Sequence, residues 1–532
     1  MHRARATQGE LGGDLLRQLL SPAAYTHPVD GVQLIETHIS WLLLAGDYAY
    51  KIKKPLDLGF LDYRTLAKRR HYCEEELRLN RPWAPDIYLD VVAVTRTADG
   101  VTVGGDGTPL EYAVRMQRFD QARRLDNELA AGRLTADDMR AFAGTLAARH
   151  REARRTPAAD RARIVRRAIE LVRENFPPLE RAVPGPLLDE LRQWTTRELR
   201  ALGGTFRRRF DDGWFRECHG DLHLGNLVRL PGGITAFDCI EFNDELRNTD
   251  VVADVAFLVM DLVSRRRRDL AAHFLNRYLE HTGDYAGMRL LNLYFTYRCL
   301  VRAKVAVIRS GERRTAAERT ADLDEAGRYL RLARERVAPR VVTLIAMHGL
   351  SGSGKTWVSE RLMACLPAIR IRSDIERKRL FGVAETASSE SGIAAGIYAS
   401  RASARTYARL HSLAECLLAA GHNVILDAAY LRRGERSAAA AAAARAGAAF
   451  LVVTVCAREA VLRQRICERQ QLAGASEADL QVLDYQLRNA EPLTPAERAF
   501  TVACRSDRID SGRLAQRIRR RAARSSASAS PH

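Results

Sequence analysis

A glycine-rich segment in the C-terminal half has the residue types and the spacing of a phosphate-binding loop. The pattern G-x-x-x-x-G-K-[ST] turns backbone N–H groups inward at the start of a helix, where they bind phosphate oxygens. An apolar stretch predicted to be a strand precedes the segment, and a predicted helix follows it. The predicted nucleotide-binding residues are Gly349, Ser351, Gly352, Ser353, Gly354, Lys355 and Thr356. Lys355 would reach the β- and γ-phosphates, and the Thr356 hydroxyl would bind Mg²⁺.

Charged residues further along this half have the chemistry to act on a bound nucleotide. Asp374 follows the next predicted strand and could accept the proton of an attacking hydroxyl, while Arg377, one helical turn later, could clamp an anionic substrate. Asp427 ends another predicted strand and is a candidate outer-sphere ligand of Mg²⁺. Arg465 and Arg469 lie four residues apart on one predicted helix face, from which they could fold over the transferring phosphoryl group as a lid.

The N-terminal half contains a second group of polar residues at informative spacing. Asp221 and Asn226 lie five residues apart, and Asp238 follows twelve residues later, after a glycine-containing hairpin turn. This spacing equals that of the catalytic loop and the metal-binding Asp in the protein-kinase fold. Asp221 would then orient or deprotonate an acceptor hydroxyl, while Asn226 and Asp238 would hold Mg²⁺ on the phosphates. The alternative is a glycine-rich β-turn whose polar residues are incidental.

A kinase-like site also needs an upstream lysine with a glutamate partner. The chain has only seven Lys against 77 Arg, so each lysine is informative. Alternation along a predicted strand places Lys51 and Lys53 on one face, with Lys51 the first candidate for the phosphate contact. Glu76 lies on the half-apolar face of a helix predicted over residues 62–80. Because a carboxylate in an apolar sector needs a cation, Glu76 is predicted to pair with Lys51.

Length and composition limit the classes of protein that the chain can form. Its 532 residues imply two to four folded units, and 46% hydrophobic with 28% charged residues is ordinary globular usage. The longest uncharged stretches fall short of the roughly 18 apolar residues of a membrane span, and no apolar segment follows the first arginines. We therefore expect a cytoplasmic protein without a membrane partner. Nine cysteines without a C-x-x-C pair predict thiols that are buried or without a functional role, in a reducing compartment.

A formal net charge of +19 raises the question of nucleic-acid binding. The arginines responsible are spread through predicted helices, which favours compositional bias and solvated helix faces over a polyanion-binding surface. Nucleic acid is therefore a possible partner, but not the favoured one.

The order of predicted elements divides the chain near residue 339. The first 118 residues are β-rich with one helix: residues 32–50 form two apolar segments joined near residues 45–47, and residues 87–94 and 110–118 predict strands around a turn at residues 98–107. Residues 120–340 are mainly helical around a β-hairpin between residues 218 and 242. After residue 340, four predicted strands, at residues 341–347, 369–372, 423–426 and 450–456, alternate with helices and predict a parallel sheet. The predicted domains are residues 1–338, with lobes of about 25–118 and 119–338, then residues 339–520 and a disordered tail over 521–532. We expect a cut near Arg340 to give two folded pieces.

Both halves resemble known kinase families. Residues 340–515 resemble P-loop kinases of the polynucleotide kinase and zeta toxin type through the P-loop, Asp374, Arg377, Asp427 and the arginine pair. Residues 25–335 resemble aminoglycoside phosphotransferases, and the whole chain resembles bacterial bifunctional proteins that join such a domain to an ATP-binding P-loop (AAA) domain. The resemblance implies a multi-domain α/β chain, in which a protein-kinase-like α+β fold precedes a P-loop NTPase domain with a parallel sheet. It also implies ATP and Mg²⁺ as cofactors and transfer of the γ-phosphoryl group to a hydroxyl.

The kinase-like half departs from the pattern at one point. It lacks a glycine-rich loop over the phosphates, and Thr37-His38-Ile39-Ser40 stands in its place.

Three functions therefore stay open. The first is a bifunctional phosphotransferase acting on an unidentified small-molecule or nucleotide hydroxyl. The second is a P-loop kinase regulated by a catalytically weak, ligand-sensing kinase-like domain, and the third is a nucleic-acid end-processing kinase.

Overall fold

The computed structural model describes residues 12–59, 61–98, 100–385, 397, 399–470 and 479–527. These residues form two compact units. The first unit comprises the described residues of Met1–Arg181 and Thr196–Asp261, and the second comprises those of Ala182–Thr195 and Leu262–His532. The compact units therefore divide after Asp261, whereas the sequence predicted a division after residue 338. Among the described residues, no helix combines the length and the apolar character needed to cross a bilayer.

A six-stranded antiparallel sheet forms the N-terminal lobe of the first unit, with the strand order β1-β2-β3-β6-β4-β5. The region predicted as two apolar segments contains three strands, because the Thr37 hydroxyl and backbone N–H both donate to the Ser40 carbonyl and close a tight turn. The predicted turn over residues 98–107 contains the short strand β5. The strands are β1 Val32–Glu36, β2 Ser40–Ala45, β3 Tyr48–Lys53, β4 Tyr88–Thr97, β5 Gly100–Val103 and β6 Pro109–Gln117.

Helices α1 (Gly12–Leu19) and α2 (Leu66–Asn80) accompany this sheet. The Thr65 side chain caps α2 by accepting a hydrogen bond from the Lys68 N–H, as N-cap threonines commonly do. Helix α2 buries Cys73, Glu76 and Leu79. The predicted glutamate therefore enters the interior together with the apolar face of its helix.

The rest of the first unit is helical around two small sheets. The hairpin predicted between residues 218 and 242 is present as β8 and β9, and β7 pairs with β10. By residue range, Pro186–Thr195 of α7 and Leu262–Ser264 of α9 are counted with the second unit. The elements are α3 Leu125–Ala130, α4 Ala136–Glu152, α5 Arg161–Arg173, α6 Phe176–Ala182, α7 Pro186–Asp211, β7 Phe215–Glu217, β8 Leu227–Leu230, β9 Gly233–Ala236, α8 Asp244–Arg247, β10 Asn248–Asp250 and α9 Val251–Ser264.

A five-stranded parallel sheet forms the centre of the second unit, with the order β12-β13-β11-β14-β15. Four of these strands match the prediction. The fifth, β15, was not predicted; Val502 is its one buried residue, so the strand lacks the continuous apolar run of the others. The strands are β11 Thr343–His348, β12 Ala368–Arg372, β13 Asn423–Asp427, β14 Ala449–Cys456 and β15 Thr501–Arg505. The helices are α10 Arg268–Thr282, α11 Met288–Glu312, α12 Ala316–Val337, α13 Lys355–Cys365, α14 Ser373–Leu380, α15 Ser400–Ala419, α16 Arg433–Arg445, α17 Glu459–Gln470, α18 Leu480–Asn489, α19 Pro495–Ala499 and α20 Ser511–Ala527.

The C-terminal helix corrects the predicted disordered tail. Helix α20 continues to Ala527, so the prediction of disorder from residue 521 is wrong for residues 521–527, while residues 528–532 lie outside the described part of the chain. Leu514, Ile518 and Ala522 follow the spacing of one helix face and are buried in the core of the second unit. A sparse apolar stripe within an Arg- and Ser-rich sequence is therefore enough to fix this helix.

Helix α10 covers the edge strand β12 of the parallel sheet. The Asn276 amide donates to the Ala368 carbonyl at 3.1 Å and accepts from the Arg370 N–H at 2.6 Å. Ala272, on the same helix, belongs to the apolar core around α13 and β11. The expectation of two independent pieces on cutting near Arg340 does not fit this packing, because the cut would take α10 from the edge that it satisfies.

Candidate active sites

The N-terminal site is built around Lys51 on β3. Its ammonium lies 2.8 Å from Glu76 Oε1 on α2 and 2.6 Å from Asp238 Oδ1, which follows the β8–β9 hairpin. The structure thus brings together the predicted lysine, its glutamate and the predicted metal-binding aspartate, which are far apart in sequence. Burial alone lowers the pKa of Lys51, but the Asp238 and Glu76 carboxylates outweigh burial and hold that pKa well above its usual value. Lys51 is therefore a fixed cation.

A second lysine shares the same glutamate. Lys53 is fully buried and contacts both Glu76 and Glu241, and the Tyr63 hydroxyl donates to Glu241 Oε1 at 2.8 Å. Burial raises the pKa of Glu241, but Lys53 and Lys51 outweigh it and leave the pKa below its usual range. The two lysines and two glutamates form a buried network that orients Lys51 from behind. Lys53 was the second candidate on the predicted strand, and no pattern in the sequence predicted its contacts with both glutamates.

We expect Lys53→Met to destabilise the chain by about 3–5 kcal/mol, because it leaves Glu76 and Glu241 buried without their shared cation. Lys54 is the matched control: its partner Glu36 is exposed, so Lys54→Met should change stability by less than about 1 kcal/mol. Urea unfolding of both variants measures the difference. Equal stabilities would contradict the role of the buried network.

The catalytic-loop candidates lie between β7 and β8. The Asn226 amide donates to Asp221 Oδ2 and to the Asp221 carbonyl, each at 3.0 Å, and the Asp221 side chain is 37% exposed. The carboxylate is thus oriented by its neighbour yet open to an acceptor. Burial lowers the pKa of His219. Its Nδ1 accepts from the Asp221 N–H at 3.3 Å and its Nε2 lies 2.9 Å from the Phe237 carbonyl, which fits a neutral ring linking the loop to the residue before Asp238.

Two buried aspartates on α9 hold this loop, and neither was predicted from the sequence. Asp254 accepts from the His219 and Gly220 N–H groups at 2.8 and 2.9 Å, and Asp261 accepts from the Leu224 N–H at 3.0 Å. The sequence did contain a pattern that could have predicted them: two aspartates seven residues apart in an otherwise apolar helix lie on the same helix face. They fix the backbone on either side of Asp221.

Asp238 has a backbone conformation that non-glycine residues rarely adopt, with φ +64°. Its N–H donates to the Tyr88 hydroxyl at 3.0 Å, and the next N–H, of Cys239, donates to Asn80 Oδ1 at 2.8 Å. Burial raises the pKa of Asp238, but Lys51 outweighs it, so that pKa is lowered and the group is a carboxylate. Such strain persists where the surroundings enforce it, as at functional sites.

The second candidate site is the loop between β11 and α13. Gly349, Gly352 and Gly354 all have positive φ, at +148°, +77° and +91°. A Cβ on Gly349 or Gly352 would lie 2.6 Å from a carbonyl oxygen, so neither position has room for a side chain. The Ser353 hydroxyl oxygen is buried and has no partner among the described residues. An unpaired buried donor beside a glycine-lined turn is the arrangement that a phosphate group would satisfy.

The metal-binding candidates of this site lie next to the loop. Thr356 Oγ1 donates to Asp427 Oδ1 at 3.4 Å, and Ser359 Oγ donates to Asp427 Oδ2 at 3.0 Å. Lys355 folds over the loop, with its Nζ donating to the Leu350 carbonyl at 2.9 Å. A hydroxyl in the first turn of α13 and a carboxylate at the carboxyl end of β13 form an oxygen donor set that suits Mg²⁺.

The remaining predicted residues differ in where the structure places them. Arg465 lies over the loop, with Nη1 donating to Ser506 Oγ at 2.7 Å and to the Gly352 carbonyl at 3.4 Å. Arg377 is buried and donates to the Ile397 carbonyl at 2.7 Å, so its guanidinium is already engaged within the chain. Asp374 is half-buried in the first turn of α14. The side chain of Arg469 lies outside the described part of the chain.

One backbone donor of the predicted phosphate-binding loop also has an internal partner. The Ser351 N–H donates to Gln486 Oε1 on α18 at 2.8 Å. Its use for a phosphate would therefore require Gln486 to move. Neither Gln486 nor Ser506 was predicted, because both lie in segments far along the chain that carry no recognisable motif.

The fold and the two sites define a kinase-like phosphotransferase domain followed by a P-loop domain, as the sequence predicted. The profile of the phosphotransferase enzyme family matches residues 88–291, and the profile of an AAA domain matches residues 344–493. The chain is thus a phosphotransferase of the kinase class. Uncharacterized proteins of Mycobacterium tuberculosis and Mycobacterium bovis are each 30% identical to it over 463 residues, covering 86% of this chain and 90% of theirs. The chain belongs to the same family as these mycobacterial proteins.

Solved structures resemble each half. Ethanolamine kinase of Plasmodium vivax is 11% identical, covering 57% of this chain and 84% of its own, with a TM-score of 0.36. A gluconokinase from Sinorhizobium meliloti is 21% identical, covering 35% of this chain and 92% of its own, with a TM-score of 0.24.

Proposed function

We propose that the chain is a bifunctional, ATP- and Mg²⁺-dependent phosphotransferase with one catalytic site in the kinase-like domain and one at the P-loop. The observation that carries the proposal is Lys51, held between Glu76 and Asp238 beside the Asp221–Asn226 pair. Four of these five residues are charged, and they come from β3, α2 and two separate loops. Such a convergence has little structural purpose unless it binds a charged ligand.

Each group in the N-terminal site has a distinct task. Lys51 binds phosphate oxygens, and Glu76 keeps its ammonium in place. Asp221 accepts the proton of the acceptor hydroxyl as the acceptor oxygen bonds to the γ-phosphorus and the bond to the ADP oxygen breaks. Asp238 and Asn226 would hold Mg²⁺, which supplies neutralisation of the phosphate charge when bound.

The P-loop site has a parallel division of tasks. Backbone N–H groups of the loop and Lys355 bind the β- and γ-phosphates. Arg465, which donates to the Gly352 carbonyl, is proposed to stabilise charge on the transferring group. Thr356, supported by Asp427, would hold Mg²⁺. Asp374 is proposed as the base for the acceptor at this site, and Arg377 would need to leave the Ile397 carbonyl to bind an anionic acceptor.

The acceptor is proposed to be a small-molecule or nucleotide hydroxyl.

The sensing-module alternative, in which a catalytically weak, ligand-sensing kinase-like domain regulates the P-loop kinase, draws support from the β1–β2 turn. There Thr37 donates to the Ser40 carbonyl, and no glycine offers backbone donors to a phosphate. A kinase-like domain without those backbone donors would bind nucleotide weakly.

Transfer of the γ-phosphoryl group from labelled ATP into a mixture of small hydroxyl compounds tests the proposal with the full chain. We expect two families of labelled products, one lost in Asp221→Asn and the other in Asp374→Asn. Products that depend only on Asp374 would favour the sensing-module alternative. Label entering only oligonucleotide ends, with a steep dependence on salt, would favour the nucleic-acid kinase.

A further inference from the structure

Glu280, near the end of α10, lies in a buried cluster of arginines in the second unit. Its Oε1 accepts from Arg370 Nη2 at 2.8 Å, and its Oε2 lies 3.1 Å from Arg277 Nη1 and 3.7 Å from Arg372 Nη1. Glu280 is only 3% exposed and Arg370 only 6%. A buried ion pair of this kind fixes its members firmly, since losing one partner leaves the other charge uncompensated.

The other end of the Arg370 guanidinium faces the P-loop site. Arg370 Nη1 lies 3.4 Å from Ser359 Oγ, 3.5 Å from the Thr356 carbonyl and 3.9 Å from Asp427 Oδ2. Ser359 in turn donates to Asp427. One guanidinium therefore connects Glu280 with the residues that would hold Mg²⁺.

Arg370 lies much closer to the Glu280 carboxylate than to the Asp427 carboxylate. Arg370 Nη2 lies 2.8 Å from Glu280 Oε1, whereas Arg370 Nη1 lies 3.9 Å from Asp427 Oδ2, close to the longest distance of an ion pair. Without the Glu280 charge, the guanidinium would lose its nearest anion and would be drawn to Asp427, the next carboxylate within reach. An Asp427 paired with arginine would compete less well for a cation.

We propose that Glu280 is a positioning residue of the P-loop site, which holds Arg370 away from Asp427 and so leaves that carboxylate available to Thr356 and Mg²⁺. The inference rests on the proposed function of this site. The phosphotransferase family match extends to residue 291 and so includes α10, whereas the AAA match begins at residue 344. The P-loop site would thus depend on a helix outside its own family match.

Glu280→Gln in the full-length chain tests the proposal through the Mg²⁺ dependence of nucleotide binding at the P-loop site. Asp238→Asn serves as the background in all proteins, so that metal binding at the other site does not contribute. We expect the Mg²⁺ concentration for half-maximal binding to rise about 10- to 100-fold, the usual effect of losing a residue that supports a metal ligand. Glu335→Gln is the matched control. Glu335 also pairs with an arginine of α10, Arg268, but this pair is exposed at the surface. It should leave the Mg²⁺ dependence unchanged.

A second substitution separates positioning from general destabilisation. Adding Arg370→Gln to Glu280→Gln removes the cation that would occupy Asp427, so the Mg²⁺ dependence should move back toward that of the unsubstituted chain. If Glu280→Gln fails to fold, Glu280→Asp, with its shortened reach to Arg370, is measured in its place and should raise the Mg²⁺ requirement. Intact nucleotide binding with an unchanged Mg²⁺ requirement in the variant would overturn the inference. Absence of nucleotide binding when Glu280 is intact would instead overturn the proposed P-loop function, and the inference with it.

Discussion

Lys355→Ala is expected to lower turnover at the P-loop site by about 10²- to 10³-fold, the usual cost of removing one preorganised donor from developing charge. Lys355 is the side-chain cation that the loop itself supplies to the β- and γ-phosphates, and its ammonium already lies over the loop at the Leu350 carbonyl. The measurement is steady-state transfer of the γ-phosphoryl group in the full chain, together with calorimetry of nucleotide binding.

Lys68→Ala is the control for this substitution, because Lys68 is exposed and pairs with Asp62 at the surface of the other unit. It should leave both measurements unchanged. Turnover and affinity unaffected by Lys355→Ala at a site that binds nucleotide would show that the loop does not hold the phosphates.

Asp221→Asn should lower transfer at the kinase-like site by about 10²- to 10⁴-fold, the range attributed to a general base, while nucleotide binding persists. The amide keeps the shape of the side chain beside Asn226 but cannot take the acceptor proton. Asp238→Asn should act differently. It removes a proposed metal ligand, so nucleotide binding at this site should lose its dependence on Mg²⁺.

Calorimetry and single-site turnover of the two variants distinguish these effects. Asp212→Asn changes an exposed aspartate of the same unit and should behave like the unsubstituted chain. Transfer that survives in Asp221→Asn would remove Asp221 from the mechanism. No heat of binding at millimolar nucleotide, with the P-loop site disabled by Lys355→Ala, would favour the sensing-module alternative.

The fold could be predicted where a local pattern repeats. Strands that alternate with helices predicted the parallel sheet, and the turn Pro231-Gly232-Gly233 predicted the β8–β9 hairpin. The division into compact units could not be predicted. It depends on the packing of α10 over β12, which the Asn276 side chain supports by donating to the Ala368 carbonyl. In the sequence, Asn276 does not differ from any other polar helix residue. Local sequence carries no trace of that long-range contact.

The site shows the same contrast between spacing and long-range contacts. Asp221, Asn226 and Asp238 are recognisable because chemistry fixes their spacing, and Glu76 because a carboxylate on an apolar face demands a cation. The positions of Lys53, Glu241 and Tyr63 follow from burial and not from a motif, so only the folded chain brings them together. Arg370 is similar: nothing in strand β12 indicates that its guanidinium bridges Glu280 and the neighbourhood of Asp427.

The positions of the few lysines give the molecule a selective chemical footprint. Reagents that acylate primary amines ignore the 77 arginines, so they can report on seven side chains only. Lys51 and Lys355 belong to the two candidate sites, and Lys53 is sealed behind the first of them. Lys51 is held as an ammonium ion by Glu76 and Asp238 and should react slowly, because only the neutral amine is acylated. Acylation in the presence and absence of nucleotide, followed by mass spectrometry of the peptides, would therefore record the occupancy of the P-loop site through Lys355 in the intact chain.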